Sequence, residues 1–183
     1  MSPGAGGGLD ASLRIFRSDD AGASAGELFR ECFNAPFPVP RDNVIPVPTP
    51  PANWRQYVAT YAWPGRAPPE TVGFCNWIRH RDVYLQGGMC VRRNFYRRMP
   101  REHFRECQSR GGLAQMMMEA VARELDDAVA WFGYCGDAKA LAVDLRAGYV
   151  TTRHPYVIVK WFADLPEDER ERRIEEIAAI GAF

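Results

Sequence analysis

The pattern of hydrophobic and polar positions predicts six β-strands. Apolar side chains alternate or run together over short segments bounded by turn residues, as is typical of strands. The second to fourth of these segments follow one another directly, with residues 64–69 and 79–82 as turns, which favours an antiparallel meander. The six segments read, in chain order, SLRIF, QYVATYAW, TVGFCNWI, VYLQGGMCV, AVAWFGYC and PYVIVKWF.

Most of the segments between the predicted strands have apolar residues at the spacing of a helix. Apolar residues recur at helical spacing from Ala25 to Cys32, and Asp19 or Asp20 supplies a cap at the start of that helix. The predicted helices cover residues 19–33, 113–127, 137–148 and 166–179. The resulting order is strand, helix, three strands, helix, strand, helix, strand and a tail helix. It predicts an α/β (α+β) domain with a mixed, mostly antiparallel sheet flanked by helices.

Two local features depart from regular strand and helix patterns. Gly87 and Gly88 lie inside the fourth strand, where a glycine pair indicates a bulge or the close approach of a ligand or another backbone. The segment from Ala35 to Asn53 carries seven prolines, which exclude a regular helix. Because Phe37, Val39, Ile45 and Val47 interleave with these prolines, we expect an ordered loop that packs on the domain and shapes acceptor choice.

Composition narrows the class of protein. The chain has 183 residues and no formal net charge, so nothing global draws it to nucleic acid or to an anionic membrane. Its five cysteines are widely spaced, which argues against a disulfide framework or a zinc site, and no metal is expected. No apolar run approaches the ~20 residues of a membrane span. These features predict a cytoplasmic protein with a flexible segment at 1–10 and one domain at 11–183.

A glycine turn precedes the helix that begins near Leu113. The first backbone N–H groups of a helix have no partner inside it and carry the positive end of the helix dipole. Gly111 and Gly112 would let an anion such as a phosphate approach these groups closely. The position of this turn, between the fourth strand and the next helix, makes a phosphate site the hypothesis to test.

Two motifs give the chain a resemblance to a known family. Ser109 to Ala114 resembles a pyrophosphate motif [QR]-x-x-G-x-[GA], with serine at the first position and matches at Gly112 and Ala114. A second motif, N-x-x-A-x-x-[L]-Y-x-x-x-G-[FY], is met over residues 137–149, with aspartates at its asparagine and tyrosine positions. In this order the motifs resemble those of the GNAT superfamily of acyl-CoA-dependent N-acyltransferases, over about residues 11 to 163.

The resemblance implies a sheet splayed between its fourth and fifth strands, with acetyl-CoA or another acyl-CoA wedged in the opening. Pantetheine would pair with the fourth strand, and the pyrophosphate would sit on the N–H groups from Gly111 to Gln115. The implied cofactor-binding residues are Met89, Val91, Arg93, Ser109, Arg110, Gly111, Gly112, Leu113, Ala114, Gln115 and Asp137. Substrate-binding candidates are Trp54, Phe37 and His154.

Catalysis in such a site requires a base, an oxyanion donor and an acid for the leaving thiolate. Asp144 stands where the family has its tyrosine acid, and an ionised carboxylate cannot donate a proton. Three interpretations remain open: Tyr134 replaces the tyrosine, the thiolate leaves without an acid, or the reaction has been lost or changed. If buried, Asp144 would have a raised pKa and could act as a base. The catalytic candidates are Tyr134, Asp144 and Gln86.

A spacer from Arg92 to Arg110 carries seven arginines with interleaved aromatic residues, which suits CoA phosphates, an acidic carrier protein or nucleic acid.

Our leading hypothesis is an acyl-CoA-dependent N-acyltransferase, with a small or amino-acid-like amine as acceptor. The alternatives are a non-catalytic module that binds CoA or acyl carrier protein, and an acyltransferase that acts on aminoacyl-tRNA. A homodimer is a further expected form, and no membrane partner is expected.

Overall fold

The computed structural model describes residues 8–38, residue 45 and residues 48–183. One seven-stranded sheet runs through the domain in the order β1-β2-β3-β4-β5-β7-β6. Neighbouring strands are antiparallel except β4 and β5, which are parallel. The strands are β1 Leu13–Arg17, β2 Trp54–Tyr61, β3 Glu70–His80, β4 Val83–Val91, β5 Ala130–Tyr134, β6 Val150–Thr151 and β7 Val157–Trp161. This mixed, mostly antiparallel sheet flanked by helices confirms the predicted fold class.

Seven α-helices are assigned in the described residues, in addition to one short 3-10 helix. Asp20 caps α2 by accepting a hydrogen bond from the Ala23 N–H, and Asp137 caps α6 by accepting from the N–H groups of Lys139 and Ala140. The helices are α1 Leu9–Ser12, α2 Ala21–Phe33, α3 Phe95–Arg98, α4 Arg101–Ser109, α5 Leu113–Ala122, α6 Ala138–Arg146 and α7 Glu167–Ala178. None of the described helices is long and apolar enough to cross a membrane.

The helices cover the two faces of the sheet. On one face, α2 packs Ala25 and Leu28 onto β2–β4, and α7 packs Ile174 and Ile177 onto the part of the sheet formed by β4, β5 and β7. On the other face, α1 and α3–α5 bury a larger cluster that includes Leu113, and Leu141 of α6 packs against it. We call these the α2/α7 face and the α5/α6 face. Because successive side chains of a strand point to opposite faces, each strand contributes to both.

The structure can be compared with expectation at the N-terminal segment and in part of the proline-rich loop. Leu9 is fully buried in α1, so the ordered domain already includes residues 8–10, which the sequence assigned to a flexible segment. In the loop, Phe37 packs against Phe29 and Phe74, and Ile45 is buried in the same cluster as Trp54. A short 3-10 helix, Pro51–Asn53, ends the loop, and residues 39–44 and 46–47, with Val39 and Val47, lie outside the described residues.

Candidate functional site

The site is a cavity that opens where β4 and β5 separate. The two strands pair from Val83 and Ala130 to Gln86 and Gly133, and β4 then continues to Val91 without β5 beside it. The opening forms a cavity of about 810 Å³. Its walls come from β4, the end of β5, and helices α2, α5 and α6 together with the segment after β4. The splay predicted between the fourth and fifth strands is therefore present.

A β-bulge shapes the wall that β4 gives to the cavity. Cys75 pairs with Met89 and Trp77 with Gln86, so Asn76 alone lies opposite the pair Gly87 and Gly88. A Cβ atom on Gly87 would lie 2.5 Å from the Asn76 Nδ2 atom, and glycine is needed there for this packing. The bulge predicted from the glycine pair is present, and its glycines both line the cavity.

Asp144 is buried on the α5/α6 side of the cavity. Only 4% of its surface is exposed, and its Oδ1 atom accepts a 3.2 Å hydrogen bond from the Gln86 Nε2 atom. Burial raises the pKa of Asp144, while hydrogen bonds from Gln86 and Cys135 act in the opposite direction. The protonated carboxyl is thereby favoured relative to an exposed aspartate. A neutral carboxyl of this kind can donate a proton, which an ionised one cannot.

Two residues at the bulge each have a buried amide oxygen with no protein partner in the described residues. They are Gln86, which lines the cavity and whose Oε1 atom is unpaired, and Asn76, which lies opposite the two glycines and whose Oδ1 atom is unpaired. Each residue is more than nine-tenths buried. Because an unpaired buried acceptor costs free energy, these oxygens favour a hydrogen-bond donor from a ligand or an ordered water.

Tyr134 lines the same cavity from the other side. Its ring lies 5.7 Å from that of Tyr156 and 6.2 Å from that of Phe183, centroid to centroid, on the α2/α7 face. It is 38% exposed, unlike the buried Asp144. The three catalytic candidates, Tyr134, Asp144 and Gln86, therefore line one cavity, but Tyr134 approaches it from the opposite face of the sheet.

The glycine turn before α5 has its N–H groups largely engaged within the protein. Gly111 and Gly112 have φ values of +80° and +87°, a conformation that favours glycine. The Gly111 N–H donates to the Gln108 carbonyl and the Gly112 N–H to the Cys107 carbonyl, at 3.0 and 2.8 Å. The Leu113 N–H donates to the Tyr96 hydroxyl at 2.9 Å. Three of the five N–H groups expected to hold a pyrophosphate thus already have acceptors.

The polar side chains around this glycine turn also have hydrogen-bond or ion-pair partners within the chain. The Ser109 hydroxyl donates to the Glu106 carbonyl, Arg110 pairs with Asp10, and the Gln115 Nε2 atom donates to Glu119. Ala114 is the member of the motif that lines the cavity. Arg110 therefore pairs with a carboxylate on α1, whereas the sequence had suggested that its charge binds a phosphate.

Other cations stand at the cavity instead. Arg93 follows β4 and Lys139 lies in the first turn of α6, and both are exposed lining residues. Neither forms an ion pair with any described carboxylate. Arg93 and Asp137 belong to the predicted cofactor set, as do Met89 and Val91 on β4, and all four line the cavity. Lys139 and Tyr96 were missed, although Lys139 sits two residues after the predicted cap.

The remaining spacer arginines divide into two groups. Arg92 pairs with Glu31 and Glu70, and Arg98 also pairs with Glu70 while its guanidinium lies 4.3 Å from the centroid of a tryptophan ring. These two side chains tie the spacer to the domain. The second group is exposed and forms no ion pair with described residues; it consists of Arg97, Arg101 and Arg105.

The three predicted substrate-binding residues lie outside the main cavity. Trp54 is buried and donates from Nε1 to the Thr49 carbonyl, and Phe37 packs in the aromatic cluster under α2. His154 pairs with Glu175 at 2.8 Å and lines a neighbouring cavity of about 380 Å³. No group of three or more potential metal ligands occurs among the residues that the structure describes.

Comparison with solved structures identifies the fold. The ribosomal-protein-S18-alanine N-acetyltransferase from Escherichia coli aligns at a TM-score of 0.55 and 11% identity, over 85% of this chain and 97% of that one. The chain has the GNAT-superfamily fold. In this chain, the strands that separate are β4 and β5, and residues of α5 and α6 line the opening between them.

Two further structures align at lower TM-scores. A putative GNAT-family acetyltransferase from Bacteroides thetaiotaomicron aligns at 0.49 and 10% identity, over 93% of this chain and 99% of that one. A putative N-acetyltransferase from E. coli bound to coenzyme A aligns at 0.49 and 16% identity, over 81% and 98%. No family model matches the sequence, and no curated protein matches it.

Proposed function

We propose that the protein is an acyl-CoA-dependent N-acyltransferase. The observation that carries this proposal is the opening between two parallel strands of a GNAT fold, with a cavity large enough for an extended thioester arm. Past Gln86, the backbone edge of β4 that faces the opening has no strand partner among the described residues. Its free N–H and C=O groups suit the two amides of pantetheine, as an exposed strand edge suits an added strand.

The donor's phosphates would lie at the charged end of the cavity. Arg93 and Lys139 supply cations there, and the Tyr96 hydroxyl and the N–H groups of Ala114 and Gln115 in the first turn of α5 supply hydrogen-bond donors. In this arrangement the phosphates bind the two cations of the cavity that form no ion pair with a described carboxylate. This arrangement replaces the earlier hypothesis that Arg110, now known to pair with Asp10, completes the site.

The proposed reaction proceeds by direct attack of the amine on the thioester. The neutral amine nitrogen forms a bond to the carbonyl carbon, and N–H groups on the free edge of β4 stabilise the oxyanion. As the C–S bond breaks, the protonated carboxyl of Asp144 gives its proton to the thiolate sulfur. The resulting carboxylate then takes the proton that the amide nitrogen loses, which restores the acid. Gln86 lines the cavity, and its Oε1 atom, which has no partner among the described residues, is the acceptor offered to an N–H of the incoming amine.

Calorimetric titration tests donor binding. We expect acetyl-CoA and CoA to bind, and we expect Arg93→Gln or Lys139→Gln to weaken binding by about three- to tenfold each, because each removes one charge-assisted contact with a phosphate. Arg105→Gln is the matched control: it removes one exposed positive charge from α4, away from the cavity. Absence of acetyl-CoA binding to the unmodified protein would contradict the proposal.

A second candidate donor is an acylated carrier protein. The exposed arginines Arg97, Arg101 and Arg105, which form no ion pair with described residues, favour an acidic partner of this kind. In that case Arg105→Gln would weaken donor binding and high salt would weaken it further, whereas free acetyl-CoA would bind poorly.

A further inference from the structure

Two exposed aromatic side chains line the cavity together with the glycine bulge. Phe33, at the end of α2, is 44% exposed, and its ring would lie 3.7 Å from a Cβ atom on Gly88. Tyr134, at the end of β5, is 38% exposed. Both line the 810 Å³ cavity, as do Gly87 and Gly88, which present backbone without side chains. Exposed aromatic surface inside a cavity is a usual sign of a ligand site.

The charged groups around this part of the cavity already have hydrogen-bond partners, ion pairs or an assigned role. The carboxylates that line the cavity are Asp137, whose Oδ1 atom accepts the two capping hydrogen bonds of α6, and Asp144, whose Oδ1 atom accepts from Gln86. Beyond Tyr134, Arg153 pairs with Glu171 and His154 with Glu175. A second ammonium group of an acceptor would have to share one of the two engaged carboxylates. The cations that line the cavity without an ion pair to a described carboxylate, Arg93 and Lys139, are those assigned to the donor phosphates.

We propose that the acceptor is a monoamine whose body is an aromatic ring, held between Phe33 and Tyr134. This inference rests on the proposed acyl transfer and on the assignment of Arg93 and Lys139 to the donor phosphates. A ring between two aromatic walls buries apolar surface and gains edge or stacking contacts. A polyamine or an amino acid would have to place its second charge beside groups that already hold a helix cap, a buried hydrogen bond or the donor phosphates, which is costly. The ring of Tyr134, rather than its hydroxyl, then sets acceptor specificity.

Steady-state thiol release with four amines tests the proposal: 2-phenylethylamine, n-butylamine, putrescine and phenylalanine, each with acetyl-CoA. We expect kcat/KM for 2-phenylethylamine to exceed that of each other amine by about tenfold or more. Phe33→Leu and Tyr134→Leu should each raise its KM by about tenfold, with the KM for acetyl-CoA unchanged. Phe16→Leu is the control, because Phe16 is 43% exposed on β1 and does not line the cavity. Tyr134→Phe keeps the ring and should raise the KM for 2-phenylethylamine far less than Tyr134→Leu does.

The outcomes separate this inference from the proposed function. Preference for n-butylamine, putrescine or phenylalanine, or no turnover of any of the four amines while calorimetry still detects acetyl-CoA binding, overturns the aromatic acceptor alone. Loss of kcat in Tyr134→Phe overturns the role of the ring, because it assigns the function to the hydroxyl. Failure of acetyl-CoA to bind overturns both proposals.

Discussion

Replacing Asp144 with asparagine is expected to lower kcat by about a hundredfold or more, with little change in acetyl-CoA affinity. A positioned general acid typically contributes about 10²–10⁴ in rate, and asparagine cannot supply the proton. Its side-chain oxygen can still accept the hydrogen bond that the Gln86 Nε2 atom donates to Asp144. The shape of the cavity is thus retained while its acid is removed. Steady-state kinetics and calorimetric titration measure the two effects separately.

The pH dependence of the reaction provides a second signature of Asp144. Because burial raises its pKa, the acid form persists to higher pH than in an exposed aspartate, and kcat should fall as pH rises through that pKa.

The raised pKa of Asp144 also makes the stability of the folded protein depend on pH. A group whose pKa is higher in the folded state contributes stability below its unfolded pKa, and that contribution is lost as pH rises through the folded value. Asp144→Asn should therefore be more stable than wild type at pH 8 and gain less at pH 5.

The control for both measurements is Asp126→Asn, which removes an exposed carboxylate outside the cavity. It should leave kcat, its pH profile and the melting temperature nearly unchanged. If Asp144→Asn kept the wild-type kcat and pH profile, the acid would lie elsewhere, and Tyr134 would be the next residue to test. The contrast between the two asparagine variants thus separates loss of an acid from loss of a negative charge.

Local sequence patterns were sufficient to predict most of the sheet. The segment VYLQGGMCV matches β4 residue for residue, and Asp20 and Asp137 cap the helices that they were expected to begin. β6 was missed because it has only two residues, too few for a period of two to be recognised. Helices α3 and α4 were not separated within the arginine-rich spacer, where charge dominates the pattern.

The site was less predictable because its properties depend on contacts distant in sequence. Burial of Asp144 depends on the strand from which Gln86 reaches it, 58 residues away. Arg110 is held by Asp10, which is 100 residues away, and the Leu113 N–H is taken by a tyrosine in the spacer. A motif shows which groups precede a helix, but not whether another part of the chain already binds them. Of the two cations at the cavity, Arg93 belonged to the predicted cofactor set, whereas Lys139 became evident only when the structure placed the start of α6 beside the separated strands.

Gly87→Ala is expected to lower the free energy of unfolding by about 1–3 kcal/mol and to weaken acetyl-CoA binding. The new Cβ atom would lie 2.5 Å from Asn76 Nδ2 and 2.8 Å from its Oδ1, and Asn76 is only 3% exposed, with little room to move. The bulge must therefore shift, and with it the β4 edge that faces the cavity. Urea unfolding gives the first effect and calorimetry the second. Gly26→Ala, in the interior of α2 with open space around its Cβ, should instead be neutral or stabilising.

A double-mutant cycle shows whether this contact is the cause. Asn76→Ala removes the obstructing amide, so Gly87→Ala should cost much less stability in that background than in the wild type. Equal costs in the two backgrounds would show that Asn76 does not determine the need for glycine at position 87. If Gly87→Ala left stability unchanged but still abolished acetyl-CoA binding, the glycine would serve the approach of the ligand and not the packing of β3 on β4. The cycle therefore distinguishes the two explanations that a glycine pair inside a strand permits, a bulge fixed by packing and a surface kept bare for a bound molecule.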